Sequence, residues 1–168
     1  GDKTVIRVCI PAYQQKTQSD AVQKHHNTPI PPTSELMAYK PQHILVVDDM
    51  SEILKIHQAM LSRMGHTALG ANSADAALSL FKDSNHHFDM VITDFRMPIK
   101  DGLELIEEIR AIDTFIPILM ITAYGEDEQL QKVGNYHVVL INKPVTLEKM
   151  KEGIIAACSL SPSSTTSD

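Results

Sequence analysis

The sequence contains no tryptophan, only two cysteines and no long apolar run. Because Cys9 and Cys158 are few and far apart, they predict neither a disulfide framework nor a zinc site. No stretch approaches the roughly 18 apolar residues of a membrane-spanning helix, and no signal peptide is recognisable. A basic stripe that would neutralise nucleic-acid phosphates is also missing, and the formal net charge is −6. We therefore expect a cytoplasmic location, with no nucleic-acid partner and no membrane contact by this stretch of chain.

Low apolar content marks two segments as linker and tail. Residues 12–41 are rich in glutamine, histidine and proline, and residues 159–168 are mainly serine and threonine. Such compositions bury too little apolar surface to form a packed core, so the tail is expected to be disordered. Residues 42–158 are predicted to form one domain, preceded by a separate strand within residues 1–11. Because the chain begins with glycine, we expect it to be a piece of a longer protein.

Short apolar runs alternate with helix-like segments between residues 42 and 158. The runs typical of buried strands are Ile44–Val47, Thr67–Gly70, Met90–Thr93, Ile116–Ile121 and Val138–Ile141. Helices are predicted across the segment that carries Ile53 to Met64, after Ser73, from Gly102, around Glu126–Val133 and after Thr146. Five strands that alternate with five helices predict an α/β fold, in which a five-stranded parallel sheet has helices on both faces.

Apolar spacing predicts which side of each helix faces the sheet. Residues three or four apart lie on one side of a helix, and Ser73 is a plausible N-cap for the second helix. The predicted buried sets are Ile53, Ile56, Met60 and Met64 in the first helix, Ala77, Leu80 and Phe81 in the second, Leu105, Ile109 and Ile112 in the third, and Leu147, Met150 and Ile154 in the fifth.

Polar side chains follow four of the predicted strands, at the point where each strand ends. These residues are Asp48 and Asp49, Asp94, Thr122 and Lys143. Ligands of open parallel sheets bind at the carboxyl ends of the strands, so these groups converge on one pocket if the four strands are neighbours. The charges of the three carboxylates and the ammonium group sum to −2, which one divalent cation neutralises. A site built only from oxygen ligands favours Mg²⁺.

This set of groups suits phosphoryl transfer. A carboxylate such as Asp94 can attack phosphorus and form an acyl phosphate. Mg²⁺ and Lys143 would neutralise charge on the transferring phosphoryl group, and the Thr122 hydroxyl would bond one of its oxygens. A bound cation would also relieve the repulsion between the adjacent carboxylates of Asp48 and Asp49.

Four motifs in a fixed order resemble the response regulator receiver domain of two-component signalling. They are "ILVVDD", "VITDFRMPIKDG", "ILMITAYG" and "NKP", and the likeness covers about residues 42–158. The resemblance implies a doubly wound, flavodoxin-like (βα)5 fold with the strand order 2-1-3-4-5. It also implies a phosphoryl group taken from a phosphohistidine, a change of binding partner that follows, and self-dephosphorylation.

The resemblance assigns a role to each residue at the strand ends. It implies that Asp94 is the phosphoacceptor and that Asp48, Asp49 and Asp94 bind Mg²⁺ with the backbone carbonyl of Arg96. It makes Thr122 the switch hydroxyl and Lys143 the phosphate-binding lysine, followed by a cis bond to Pro144. Leu140 departs from the family, since many receivers have Tyr or Phe there as a rotameric switch. Tyr124 flanks the pocket and is a candidate gate.

The first eleven residues resemble the last strand of a histidine kinase ATP-binding domain. A glycine and a threonine precede an alternating run that ends at Ile10–Pro11. The order of kinase end, linker and receiver is that of a hybrid histidine kinase, in which the phosphorylated kinase domain of the same chain is the donor. A histidine phosphotransfer protein and a second copy of the chain are further candidate partners. The strand is expected to pair with the receiver or with another copy, because a free edge is exposed to association.

Two other functions fit some of the same residues. A haloacid-dehalogenase-type phosphohydrolase also uses a strand-end Asp, Thr, Lys and Mg²⁺, but it normally has an acid where Arg96 stands. A pseudo-receiver scaffold would bind partners without phosphorylation, and Leu140 leaves that alternative open. Asp49, taken alone, would also suit a cap of the first helix.

Overall fold

The computed structural model describes residues 6–9, 40, 42–123, 133 and 136–160. No helix within these ranges is long and apolar enough to cross a membrane. The predicted linker apart from Lys40 lies outside the described residues, as does the predicted helix around Glu126–Val133 apart from Val133. Of the predicted tail only Ser159 and Leu160 are described, and both lie in the last helix rather than in a disordered segment. In chain order the described elements are β1 (Ile6–Cys9), β2 (His43–Val47), α1 (Ser51–Arg63), β3 (Thr67–Ala71), α2 (Ala74–Lys82), β4 (Met90–Asp94), α3 (Gly102–Ile112), β5 (Ile118–Thr122), β6 (Val138–Asn142) and α4 (Leu147–Leu160).

The strands form one sheet in the order β1-β6-β5-β4-β2-β3. Strands β2 to β6 pair with one another in the parallel direction, so the predicted five-stranded parallel sheet is confirmed. The four strands that carry the candidate site residues, β2, β4, β5 and β6, are contiguous. A sixth strand extends the sheet, because β1 pairs with β6 in the antiparallel direction. The strand predicted in the first eleven residues is therefore present, and it pairs with this domain.

Strand boundaries agree with the predicted runs within two residues. The largest shift is in β5, which begins at Ile118 although the apolar run begins at Ile116. Pro117 explains the shift, because it has no backbone N–H to donate to a neighbouring strand. Its carbonyl still accepts a hydrogen bond from Val91 at 3.0 Å.

Side chains of β2 alternate between two separate cores. Leu45 and Val47 face a cluster with helices α2 and α3. Ile44 and Val46 face a second cluster with α1 and α4. This alternation follows from the two-residue period of a strand, and it places helices on both faces of the sheet as predicted.

The predicted buried face of α1 is only partly confirmed, because Met64 is buried and Ile53 and Met60 are half-buried. Ile56 is 48% exposed, whereas His57 is 4% exposed and Leu61 is fully buried. The helix face predicted from the apolar residues is rotated about the helix axis relative to the face that is buried in the structure. The reason is that His57 occupies a core position and Ile56 an exposed one. Apolar spacing alone could not show that rotation.

The other helices show smaller differences of the same kind. In α2 the buried residues are Ala74, Ala77 and Leu78, while Leu80 and Phe81 are half-buried. Ile112 at the end of α3 is 50% exposed and Leu147 at the start of α4 is 37% exposed, so neither belongs to the core. The Ser73 cap of α2 is confirmed, since its hydroxyl accepts a hydrogen bond from the backbone N–H of Ala76 at 3.2 Å.

Candidate functional site

Three carboxylates converge at the carboxyl edge of the sheet. The pairing of Val47 with Thr93 brings the ends of β2 and β4 side by side. One carboxylate oxygen each from Asp48, Asp49 and Asp94 lies within 4.8 Å of the other two. Asp48 and Asp94 are only 1% and 4% exposed, whereas Asp49 is open to solvent. The structure thus brings together the three acids predicted from the strand ends.

Lys143 reaches the same point from the end of β6. Its Nζ lies 2.9 Å from Oδ2 of Asp94, and its backbone N–H donates to the carbonyl of Thr122 at 2.8 Å. The Lys143–Pro144 peptide bond is cis, as the family resemblance implied. Lys143 is therefore held at its backbone by Thr122 and at its ammonium group by the buried carboxylate of Asp94.

The Thr122 hydroxyl is hydrogen-bonded to a residue that we did not predict as part of the site. Thr122 is 1% exposed, and its Oγ1 donates to Oδ1 of Asn142 at 2.9 Å. The two residues are also backbone partners in the pairing of β5 with β6. The sequence feature that could have identified Asn142 as a site residue is its position at a strand end, directly before Lys143.

Burial dominates the electrostatics of the two inner carboxylates. Loss of solvent raises the pKa of Asp94 above its usual value, and the bond to Lys143 opposes that rise. Burial likewise raises the pKa of Asp48, and the hydrogen bond from the backbone N–H of Met50 opposes it. Without a cation, the pocket holds two carboxylates whose charged forms are disfavoured.

One atom of the pocket is left without a partner. Asp48 accepts the Met50 N–H at 2.9 Å through Oδ1, but its buried Oδ2 has no hydrogen-bond partner among the described residues. A buried carboxylate oxygen is costly to leave unpaired, and it lies beside two more carboxylates. This donor set fits a hard divalent cation such as Mg²⁺, which takes oxygen ligands and retains several waters.

The segment after Asp94 is anchored to the sheet and to α3. The backbone N–H of Phe95 donates to the Ile121 carbonyl at 2.8 Å, and Gly102 donates to the Phe95 carbonyl at 2.9 Å. A Cβ at position 102 would collide with the Asp94 backbone carbonyl, so only glycine permits this approach. The guanidinium of Arg96 lies over the Phe95 ring, 5.2 Å from its centroid.

Helix α3 begins with a cap that fixes the end of this segment. The Asp101 side chain accepts backbone N–H bonds from Leu103 and Glu104, and the Glu104 side chain accepts the Asp101 N–H. Lys100 next to it forms ion pairs with Asp75 of α2 and with Glu108 of α3. The loop that follows Asp94 therefore has both of its ends anchored.

The alternative role of Asp49 as a helix cap finds no support. The N-cap of α1 is Met50, and no side chain makes a capping hydrogen bond there. Leu140 is 4% exposed and belongs to the core formed with α2 and α3. Tyr124 lies outside the described residues, so its suggested gating role stays a prediction.

Comparison with known proteins identifies the family. The model of the response regulator receiver domain matches residues 44–155, which is more than half of the chain. The chain belongs to the response regulator receiver family.

Curated relatives of this receiver occur in plants and bacteria. It is 32% identical over 109 residues to the two-component response regulator ARR10 of Arabidopsis thaliana, covering 64% of this chain and 20% of that protein. It is 29% identical over 119 residues to the transcriptional regulatory protein GlrR of Escherichia coli strain K12, covering 70% of this chain and 26% of that protein. The receiver therefore matches only a minor part of the length of these two relatives.

Solved receiver structures share the fold. A receiver domain protein from Clostridium thermocellum has a TM-score of 0.63 and 30% identity, covering 70% of this chain and 94% of that one. The chemotaxis response regulator CheY4 of Vibrio cholerae has a TM-score of 0.63 and 25% identity, covering 70% of this chain and 99% of that one. These matches confirm the flavodoxin-like fold predicted from the sequence.

Proposed function

We propose that this receiver accepts a phosphoryl group from a phosphohistidine onto Asp94 and then changes its binding partners. The observation that carries the proposal is the pairing of Asp94 with Lys143 at 2.9 Å, beside the unpartnered Oδ2 of Asp48. A buried nucleophilic carboxylate, a fixed cation and a set of converging carboxylate oxygens are what an aspartyl phosphate site requires.

In the proposed reaction an Asp94 oxygen attacks the phosphorus of a phosphohistidine. The new bond joins that oxygen to phosphorus, the bond from phosphorus to the histidine nitrogen breaks, and the imidazole keeps the electron pair and takes a proton from solvent. Lys143 Nζ is close enough to the Asp94 carboxylate to neutralise charge on the transferring oxygens. Later attack by water at phosphorus would return the free carboxylate, which is the self-dephosphorylation expected of the family.

Mg²⁺ would be held by side-chain oxygens of Asp48, Asp49 and Asp94, with the backbone carbonyl of Arg96 as a proposed fourth protein ligand. When bound, the ion neutralises the carboxylates and offsets negative charge on phosphoryl oxygens. The packing of the Arg96 side chain on Phe95 is compatible with a role for its backbone alone.

Thr122 is the proposed switch between two states of the surface. In this structure its hydroxyl is bonded to Asn142 rather than to the carboxylate cluster. A phosphoryl group on Asp94 would offer oxygen acceptors that compete for the hydroxyl. Exchange of that bond would move the ends of β5 and β6 and so favour a different set of partners.

The wider context remains a proposal that rests on residues 1–11 and on the family. We infer that the receiver, residues 42–158, belongs to a hybrid histidine kinase, where the kinase's own phosphohistidine is the donor and a histidine phosphotransfer protein is the next acceptor. The kinase activity would belong to the longer protein, which we expect in the cytoplasm or attached there to a membrane anchor.

The experiment is intact-mass measurement of the chain after incubation with acetyl phosphate, with and without Mg²⁺. We expect a gain of one phosphoryl group, about 80 Da, that requires Mg²⁺ and is lost in Asp94→Asn. Asp83→Asn, which changes an exposed turn carboxylate, is the matched control and should be phosphorylated normally. A null result would be repeated with a phosphorylated histidine kinase, because a receiver can reject small donors.

The same experiment separates the alternative functions. Failure to accept phosphoryl from either donor would favour the pseudo-receiver scaffold. Repeated turnover of a small phosphate ester would favour the phosphohydrolase, although membership of the receiver family weighs against it.

A further inference from the structure

β1 is the only strand of the described sheet that runs against its neighbour. It pairs with the outer edge of β6 in four register positions, from Ile6 with Ile141 to Cys9 with Val138. β6 thereby has partners on both sides, with β5 on the other. The outer edge of β6 is thus a surface that accepts an extended segment by backbone pairing.

The connection between β1 and the rest of the domain is much longer than the distance it must cover. β6, β5 and β4 separate β1 from β2, so the two strands are roughly 19 Å apart at about 4.8 Å per spacing. Residues 10–42 join them, and a chain of that length reaches on the order of 100 Å when extended. The length of this connection therefore does not by itself force β1 onto the edge of β6.

The pairing itself is short. Strand β1 has four residues, whereas each of the five parallel strands has five. Edge segments with few pairs open at low free energy, well below global unfolding. Docking of β1 should therefore be reversible under native conditions.

The same strand that receives β1 also ends in the candidate site. Ile141, the partner of Ile6, directly precedes Asn142, which accepts the Thr122 hydroxyl. The next residue is Lys143, whose Nζ contacts Asp94 at 2.9 Å. A shift at the end of β6 would therefore change both the outer pairing and the pocket.

We propose that the outer edge of β6 is a strand-docking site, that Ile6–Cys9 is its reversible occupant, and that docking is coupled to the state of the Asp94 pocket. The docking rests on the observed pairing alone, whereas the coupling also rests on the proposed function. Such coupling is reciprocal. If a ligand in the pocket changes the affinity of β6 for β1 by some factor, docking of β1 changes the affinity of the pocket for that ligand by the same factor.

Docking is tested by amide hydrogen exchange of the whole chain, followed residue by residue by NMR. In an antiparallel pair successive residues alternate between N–H groups that face the partner and N–H groups that face away. Proline at position 7 or position 8 therefore removes an inward N–H in one variant and an outward one in the other. Arg7→Pro and Val8→Pro are matched controls for each other.

We expect one of these variants to accelerate exchange of the β6 amides that face β1 by at least 10-fold, and the other to change them little. The β6 amides that face β5 are the internal reference and should stay protected in both. Equal, unchanged rates in both variants would overturn docking. Protection that grows with protein concentration, together with a dimer in sedimentation, would overturn the intrachain occupant in favour of a second copy.

Coupling is tested by adding Mg²⁺ and beryllium fluoride, a stable phosphoryl mimic. We expect at least a threefold change in protection of the β1-facing amides in the unmodified chain and none in Asp94→Asn. The proline variant that releases β1 should shift the beryllium fluoride affinity by the same factor. Binding without any change in protection would disprove the coupling, whereas absence of binding would contradict the proposed function and leave the docking result intact.

Discussion

Lys143 Nζ and Asp94 Oδ2 lie 2.9 Å apart although the two residues are 49 positions apart in the sequence. The contact joins the ends of β6 and β4 across β5, so it depends on the order of the strands rather than on any local motif. Asp94 is almost fully buried, while the Lys143 side chain is 41% exposed. A half-exposed cation is thereby held against a buried nucleophile.

We predict that Lys143→Met slows phosphorylation of Asp94 by about 100-fold or more, because it removes a fixed positive charge from the transferring group. The measurement is the rate of phosphoryl incorporation at saturating Mg²⁺, followed by intact mass. Lys55→Met in α1, an exposed lysine, is the control and should react at the normal rate. Equal rates in both variants would show that Lys143 is dispensable for transfer.

Asp48→Asn should have opposite effects on stability with and without Mg²⁺. Without the ion, the variant loses a buried charge and an unpaired carboxylate oxygen, so its free energy of unfolding should rise by about 1 kcal/mol. With Mg²⁺ at 100 times the dissociation constant, the unmodified chain should gain about 2.7 kcal/mol and the variant much less. Thermal unfolding in EDTA and in a Mg²⁺ series measures both effects, with Asp83→Asn as the control. A variant that is stabilised by Mg²⁺ as strongly as the unmodified chain would remove Asp48 from the ligand set.

Gly102→Ala should destabilise the chain by about 1–3 kcal/mol and slow phosphorylation, because the added methyl group meets the Asp94 backbone. Gly70→Ala is the comparison, since a Cβ there would meet only the movable side chains of Leu54 and Gln58 at 3.0–3.1 Å. We expect a loss below about 1 kcal/mol for Gly70→Ala and normal phosphorylation. Denaturant unfolding and the incorporation rate check both. Similar losses in the two variants would argue against a special constraint at position 102.

Stability should also depend on pH through His66. This side chain is 7% exposed, its Nδ1 accepts the Gln42 N–H at 3.2 Å, and burial lowers its pKa. The unfolded chain therefore binds more protons, and the contribution of His66 is complete above about pH 6.5 and lost as the pH falls through the lower folded pKa.

His66→Asn keeps an acceptor for Gln42 but does not titrate, so it isolates this contribution. We expect the stability difference between the unmodified chain and the variant to shrink or reverse from pH 7.5 to pH 5.5, measured by urea unfolding. Buried His57 and the raised pKa values of Asp48 and Asp94 are common to both proteins and cancel in the difference. A stability difference that is independent of pH would show that the pKa of His66 is not lowered by folding.

The residues of the pocket were predictable because the relevant pattern is local. Each lies within two residues of the end of an apolar run, and parallel pairing brings the ends of such runs to one edge. Asn142 was missed as a functional residue because its hydrogen bond to Thr122 depends on the pairing of two distant strands. A contact between residues of two strands that are far apart in the sequence cannot be predicted from a local motif.

The helix faces were less predictable than the strands. A strand buried on both sides needs only a continuous apolar run, but a helix needs the correct rotation about its axis. In α1 the exposed Ile56 and the buried His57 reverse the usual preferences, so spacing selected a face that is only partly buried. The pairing of β1 with β6, in turn, was one of two alternatives that the sequence left open.

The most direct test of phosphoryl acceptance is to locate the modified residue. The full chain would be incubated with Mg²⁺ and a phosphorylated histidine kinase and then reduced with borohydride, which converts an aspartyl phosphate into homoserine, about 14 Da lighter than aspartate. Tandem mass spectrometry then determines the residue at each aspartate position. We predict homoserine at position 94 and unmodified Asp48 and Asp49, with no conversion when Mg²⁺ is omitted. Homoserine at a different position, or phosphoryl transfer that leaves Asp94 unmodified, would contradict the assignment of Asp94 as the acceptor.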